Sequence, residues 1–255
     1  RENIKARLAD SHLQQPFHND PAVYNVDVYN MGVFRYEGLY IGTPAMFHAT
    51  GPIPNYPNTD GFHLVQLACS RDLKTWHRLG DRKPFLGPSP LGAGAYDLTQ
   101  IIGPSNAVVH GEELWFYYTG LKYRATFEYV GEYPHGEHIP VAGLEPDHGA
   151  VCLAVLRRDG FISLDAGDEE GAVVTKPFTV SGGNLFVNLD ASGGQLHVEV
   201  LAKDTQVLAA SAPTAGDFPR AEVKWEQGDL VHLKGKMVAL RFGLRNGSLY
   251  SYWLE

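Results

Sequence analysis

Cysteine is nearly absent from this chain: among 255 residues there are only Cys69 and Cys152. Each stands alone in an apolar stretch and no CxxC pair occurs, so a Cys-rich structural zinc site has no ligand set. Such isolated residues read as two buried thiols, with one disulfide between them as the alternative. Long apolar runs are missing too, and nothing approaches the roughly 18 consecutive apolar residues of a membrane-spanning helix. Basic residues are outnumbered: 21 Lys and Arg face 29 Asp and Glu, a formal net charge of −8. Without a Lys/Arg run, neither nucleic acid nor an anionic membrane surface is an expected partner. No GxSxG, HExxH or Walker loop occurs, and Gly92-Ala93-Gly94 is too short for a phosphate loop. The histidines lack metal-ligand spacing, so the expectation is no metal and no organic cofactor.

Turn formers and aromatics are plentiful, with 28 Gly, 16 Pro, 13 Tyr and 12 Phe. That balance points to an all-β fold. Hydrophobic residues at 44% and charged residues at 20% fit a folded chain and exclude global disorder. The chain opens on Arg1 rather than Met, with no signal-peptide pattern after it. The expectation is a processed or truncated chain, or a piece of a longer reading frame, and a secreted or periplasmic location stays open.

Residues 1–22 are polar, with a weak helix signal over 3–9. Short β-prone segments then recur. Residues 27–34 and 38–48 flank a hairpin turn at Arg35-Tyr36-Glu37-Gly38. A Pro/Asn-rich loop at 51–61, an apolar run at 63–70 and a short strand at 75–79 complete a first unit of four strands. A second unit follows. Strands are expected at 101–109, 114–120, 150–156 and 161–164, with a long charged loop at 121–148. Ser70-Arg71-Asp72-Leu73 and Arg157-Arg158-Asp159-Gly160 occupy matching turns. Repeated four-stranded units are what β-propeller blades look like. Both Arg-Asp pairs are therefore read as turn or blade-closing groups, and Trp76 as packing between blades. After a polar linker at 165–171 the texture becomes that of a β-sandwich. Strands are expected at 173–178, 184–190, 195–201, 222–225, 237–244 and 248–253, with turns at Gly182-Gly183, Gly193-Gly194 and Asn246-Gly247. The expected organisation is a partial propeller of about two blades with an N-terminal extension over 1–166, then a C-terminal sandwich over 167–255.

Five stretches carry a family resemblance: VDVYNMGVFRYEGLYIG (26–42), LACSRDLKTWHR (67–78), GEELWFYYTG (111–120), LRRDGFISLDAG (156–167) and GKMVALRFGLRNGSLYSYW (235–253). Together they resemble the C-terminal part of proteins related to glycoside hydrolase families 32 and 43. In those a five-bladed propeller precedes a β-sandwich. The resemblance implies that about three blades, on the order of 150 residues, have no counterpart here. Two blades alone leave strand edges open, so self-association into a homo-oligomer is expected.

The resemblance also directs attention to the starts of the innermost blade strands, which line a central funnel. Hydrolysis of a glycosidic bond needs two carboxyl groups there, one to protonate the leaving oxygen and one as nucleophile or base. Asp27 and Asp97 stand at those positions and are the catalytic candidates. His48 and His63, flanking the long loop of the first unit, are candidates for the substrate rim, as is His148. In the charged loop, Tyr123, Phe127 and Tyr129 would stack on sugar rings, beside Tyr133 and the acid candidates Glu128, Glu132 and Glu137. The expected partner is a carbohydrate substrate. Two other readings stay open: a glycan-binding module without catalysis, and a structural prop for a propeller.

Overall fold

The computed structural model describes residues 26–52, 59–90, 93–122 and 149–255, and those residues are all-β. A partial β-propeller of two blade-like sheets is followed in the chain by a β-sandwich. Two compact units are distinguished: Arg1–Val109 with Trp115–Val155, and His110–Leu114 with Leu156–Glu255.

The first sheet comprises β1 (Val26–Tyr36), β2 (Leu39–Pro52), β3 (Thr59–Val65), β4 (Ala68–Ser70) and β5 (His77–Arg78), in the order β1-β2-β4-β5 with β3 also on β2. β1 and β2 form the expected hairpin, closed by Glu37 and Gly38, both at positive φ (43° and 78°) as a primed turn requires. The apolar run at 63–70 belongs to two strands rather than one. Both keep a single register along β2, with Ala45 opposite Val65 and Gly42 opposite Ala68. The break falls beside Pro44, which has no N–H to give the ladder, though its carbonyl still accepts from Gln66 N at 2.9 Å. Trp76 lies over Gly42 of this same sheet, where a Cβ would sit 2.7 Å from the indole. The Asp72 carboxylate accepts the backbone N–H groups of Lys74 and Thr75, each at 2.8 Å, which holds it below the ordinary carboxylate range. Asp72 is thus a turn organiser, as the sequence suggests.

The second sheet holds β6 (Gln100–Ile102), β7 (Val108–His110), β8 (Glu113–Leu121) and β9 (Gly149–Arg157), ordered β6-β8-β7 with β9 also on β8. β6 and β7 replace the single strand expected at 101–109. The chain leaves the ladder at Gly103-Pro104, and the Pro104 carbonyl turns to accept a 2.6 Å hydrogen bond from buried Thr43. Ala45, Val65 and Ile101 form a small buried cluster between the two sheets, with Leu86 and Tyr118 packed on it.

The fourth strand expected at 161–164 does not form. Instead β10 (Leu164–Ala166) pairs with a strand of the sandwich. The sandwich adds β11 (Gly171–Val174), β12 (Phe178–Thr179), β13 (Leu185–Leu201), β14 (Val207–Ser211), β15 (Thr214–Glu222), β16 (Trp225–Gln227), β17 (Met237–Arg245) and β18 (Gly247–Leu254). The turn expected at Gly193-Gly194 is a bend within β13. A Cβ on Gly194 would lie 1.8 Å from the Arg245 carbonyl oxygen, so the bend needs a residue without one. Before the bend β13 pairs with β18 and most of β15, and after it with β14, β17 and, at Leu196, the first residue of β15. One strand therefore serves both layers. The alternating residues Leu185, Val187, Leu189, Leu196, Val198 and Val200 face a single buried core with Leu240 and Phe242. Asn188 and Ser251 reach the Arg158-Asp159 turn of this unit: the Asn188 amide donates to the Arg158 carbonyl at 2.5 Å and the Ser251 hydroxyl to Asp159 at 3.4 Å. Cys69 and Cys152 are free and half-buried.

Candidate functional site

In β1 and β2, Asp27 stands opposite Phe47, and across β3 Phe47 stands opposite His63. Directly opposed residues share a face, so Asp27, Phe47 and His63 form one row across three strands. The register slips between Val28 and Asn30, making Tyr29 the residue of a β-bulge. Its ring is 61% exposed, yet packs edge-on to His63 with centroids 4.7 Å apart and lies 6.3 Å from Phe47. Phe47 lies over Gly61, where a Cβ would meet its ring at 2.5 Å. The row thus presents a half-buried carboxylate, an exposed phenol ring and a buried imidazole side by side.

His48 is not in this row. It pairs with Val26 and Phe62 on the opposite face, is fully buried, and stacks flat on Phe62 with centroids 5.1 Å apart. The two histidines read together as rim residues therefore point to opposite sides of one sheet. The strand period explains it, because His48 neighbours Phe47 along β2 and Phe47 faces His63.

Asp97 lies in the loop just before β6 and is only 6% exposed. Its segment is carried to the first sheet by backbone and amide contacts. His63 N–H donates to Thr99 O at 3.0 Å, and the buried Gln100 amide donates to Gly61 O at 3.1 Å. The Asp97 carboxylate accepts one side-chain hydrogen bond, from the Tyr118 hydroxyl to Oδ2 at 2.8 Å. Among the described residues no basic side chain pairs with it. Burying a carboxylate without a counter-charge is costly, so this arrangement is sustained by packing around it. Gly120 on β8 supplies the room, since a Cβ there would lie 2.9 Å from Asp97 Cβ. Tyr118 is held firmly protonated, first by burial and then by Asp97 beside it, with Cys152 of β9 a lesser neighbour.

The site therefore contains groups that single-sequence reasoning passed over, namely Tyr29, Phe47 and Tyr118. Tyr118 had a legible signal. It alternates with Phe116 and Gly120 along β8, which marks the inward face. Tyr29 had none, because a bulge changes which way a residue points and leaves the sequence pattern unmarked. Tyr123, Phe127, Tyr129 and His148, like Glu128, Glu132, Tyr133 and Glu137, lie outside the described residues. No group of three or more His, Cys, Asp or Glu that would hold a metal ion occurs among the described residues.

No family model matches the chain, and no curated protein matches it. Among solved structures, it is weakly similar to a glycoside hydrolase family 43 arabinoxylan arabinofuranohydrolase from Bacillus subtilis, determined in complex with cellotetraose. That match has a TM-score of 0.23 and 9% identity, and covers 88% of this chain and 53% of that one. The chain thus spans about half the length of that structure.

Proposed function

We propose that this chain is a carbohydrate-acting protein of the glycoside hydrolase type, and that Asp27 and Asp97 are its paired carboxylates. The observation that carries the reading is Asp97: a residue 6% exposed, its carboxylate without a basic partner among the described residues, in the loop before a blade's first strand. A group so costly to bury, in a loop before a strand, is where chemistry rather than packing is expected. Asp27 stands beside an exposed aromatic ring, the pairing a sugar needs for hydroxyl hydrogen bonds and ring stacking. In the reaction one carboxyl group protonates the glycosidic oxygen while the other attacks the anomeric carbon or activates water. The two roles are left open between Asp27 and Asp97.

A panel of aryl glycosides and oligosaccharides, assayed for released aglycone or reducing ends, tests this. The intact protein should hydrolyse at least one. Asp27→Asn and Asp97→Asn should each cut turnover at least about 100-fold while leaving thermal unfolding near the wild-type temperature. Full activity in both variants overturns the assignment.

Tyr29, exposed and fixed against His63, favours a second reading as a non-catalytic glycan-binding module. There Tyr29→Ala would abolish oligosaccharide binding in calorimetry, and both Asp→Asn variants would still bind. Self-association through open sheet edges belongs to either reading.

A further inference from the structure

We propose that Tyr118 is a positioning residue for Asp97: its hydroxyl anchors Oδ2 and leaves Oδ1 as the oxygen that meets the substrate. The inference rests on the hydrolase reading and specifies that same site. The tyrosine donates at 2.8 Å to one carboxylate oxygen only. Oδ1 has no partner among the described residues, so it is the oxygen left to act. A carboxyl group turns freely about its own axis when nothing holds it, and a charge-assisted O–H···O bond to one oxygen removes that freedom.

Tyr118 is well built to be the anchor. Its ring packs against the Ala45, Val65 and Ile101 cluster, which sets its direction. Gly120, two residues along β8 on the same face, leaves the space that Asp97 fills. The phenol stays protonated through the whole working pH range, as burial and the neighbouring carboxylate disfavour the phenolate. It therefore donates and cannot compete with Asp97 for a proton. A general acid or base works only when its lone pair is aimed at the reacting atom, and small misplacement lowers turnover more than binding.

The test compares wild type, Tyr118→Phe and Asp97→Asn on whichever glycoside the wild type hydrolyses. Tyr118→Phe keeps the ring and its packing, and should lower kcat about tenfold or more with KM nearly unchanged. The pH–rate profile should shift as well, which lost packing alone would not cause. A kcat and pH profile equal to wild type overturns the positioning role while the hydrolase reading stands. A wild type inactive on the whole panel overturns the hydrolase reading, and Tyr118's service to catalysis with it. Tyrosine ring NMR across alkaline pH reads the contact without activity. The Tyr118 signal, assigned by its loss in Tyr118→Phe, should titrate later than exposed tyrosines in wild type and earlier in Asp97→Asn. A Tyr118 signal unaffected by Asp97→Asn likewise overturns the inference.

Discussion

At the scale of single residues, the site depends as much on missing atoms as on functional groups. Gly120 has no positive φ, so its absence of a side chain is a matter of space rather than backbone strain. An alanine there would place its Cβ 2.9 Å from Asp97 Cβ and 3.0 Å from the Asp97 backbone N. Neither neighbour is the far end of a flexible side chain. Gly120→Ala should therefore cost about 1–3 kcal/mol, the usual penalty of overpacking. It should also displace Asp97, so that activity falls further than stability explains. Thermal unfolding and the kcat of the same preparation would check this. An unchanged kcat would mean that the loop before β6 moves without consequence for the site. The same logic separates Asp97 from the Asp72 carboxylate. Asp72 is exposed and satisfied by two backbone N–H groups, which is a turn's use of aspartate.

At the scale of elements, strand existence is legible and strand limits are less so. The hairpin of β1 and β2, the core of β8 and the sandwich strands β13, β17 and β18 follow from alternation and turn residues, whereas β14 and β15 have no counterpart among the expected strands. The misplacements have local causes. Pro44 opens a gap between β3 and β4, Gly103-Pro104 divides β6 from β7, and Gly193-Gly194 bends β13 where a turn is expected. The segment after the Arg158-Asp159 turn pairs inside the sandwich rather than with β9, and its partner β18 is remote in sequence. Pairing of that kind leaves no trace in periodicity. Asp27 at a strand start and Asp97 in the loop before one are legible as polar residues, whereas the row made by Tyr29, Phe47 and His63 exists only through register. A pH prediction belongs here. In the sandwich unit, Asp165 is lowered by the hydroxyls of Ser163 and Ser248, and Asp190 by Ser192. A carboxyl group whose folded value lies below its unfolded value, about 3.9, stabilises the fold above that pH. The contribution fades as pH falls through the folded value. These side chains meet solvent, so each effect is small. Thermal unfolding at about pH 7 and pH 3 should show Asp165→Asn slightly less stable at the higher pH, with the difference narrowing at the lower. A difference that persists undiminished at low pH would assign the effect to packing instead of charge.

At the scale of the whole molecule, the question is what covers the open sheet edges. β1 ends one sheet, and its Val28, Met31 and Val33 are exposed. Among the described residues β9 pairs with β8 alone. Its Val151, Leu153 and Val155 are 77%, 42% and 52% exposed. Proteins ordinarily blunt such an edge with lysine, proline or a bulge, yet residues 149–156 read GAVCLAVL, without a charge. A strand that is apolar along its length pairs readily with another like it. A two-fold axis through Leu153 would set β9 antiparallel to its own copy, with Val151 opposite Val155 in both directions. Light scattering should therefore give a mass of two chains or more at micromolar concentration. Val151→Lys puts a charge on an already exposed position, so it should leave the fold intact and return the protein to one chain. A monomeric wild type would overturn the pairing. A dimer indifferent to Val151→Lys would move the contact away from β9, and β1, with its own exposed apolar row, would be the next edge to substitute.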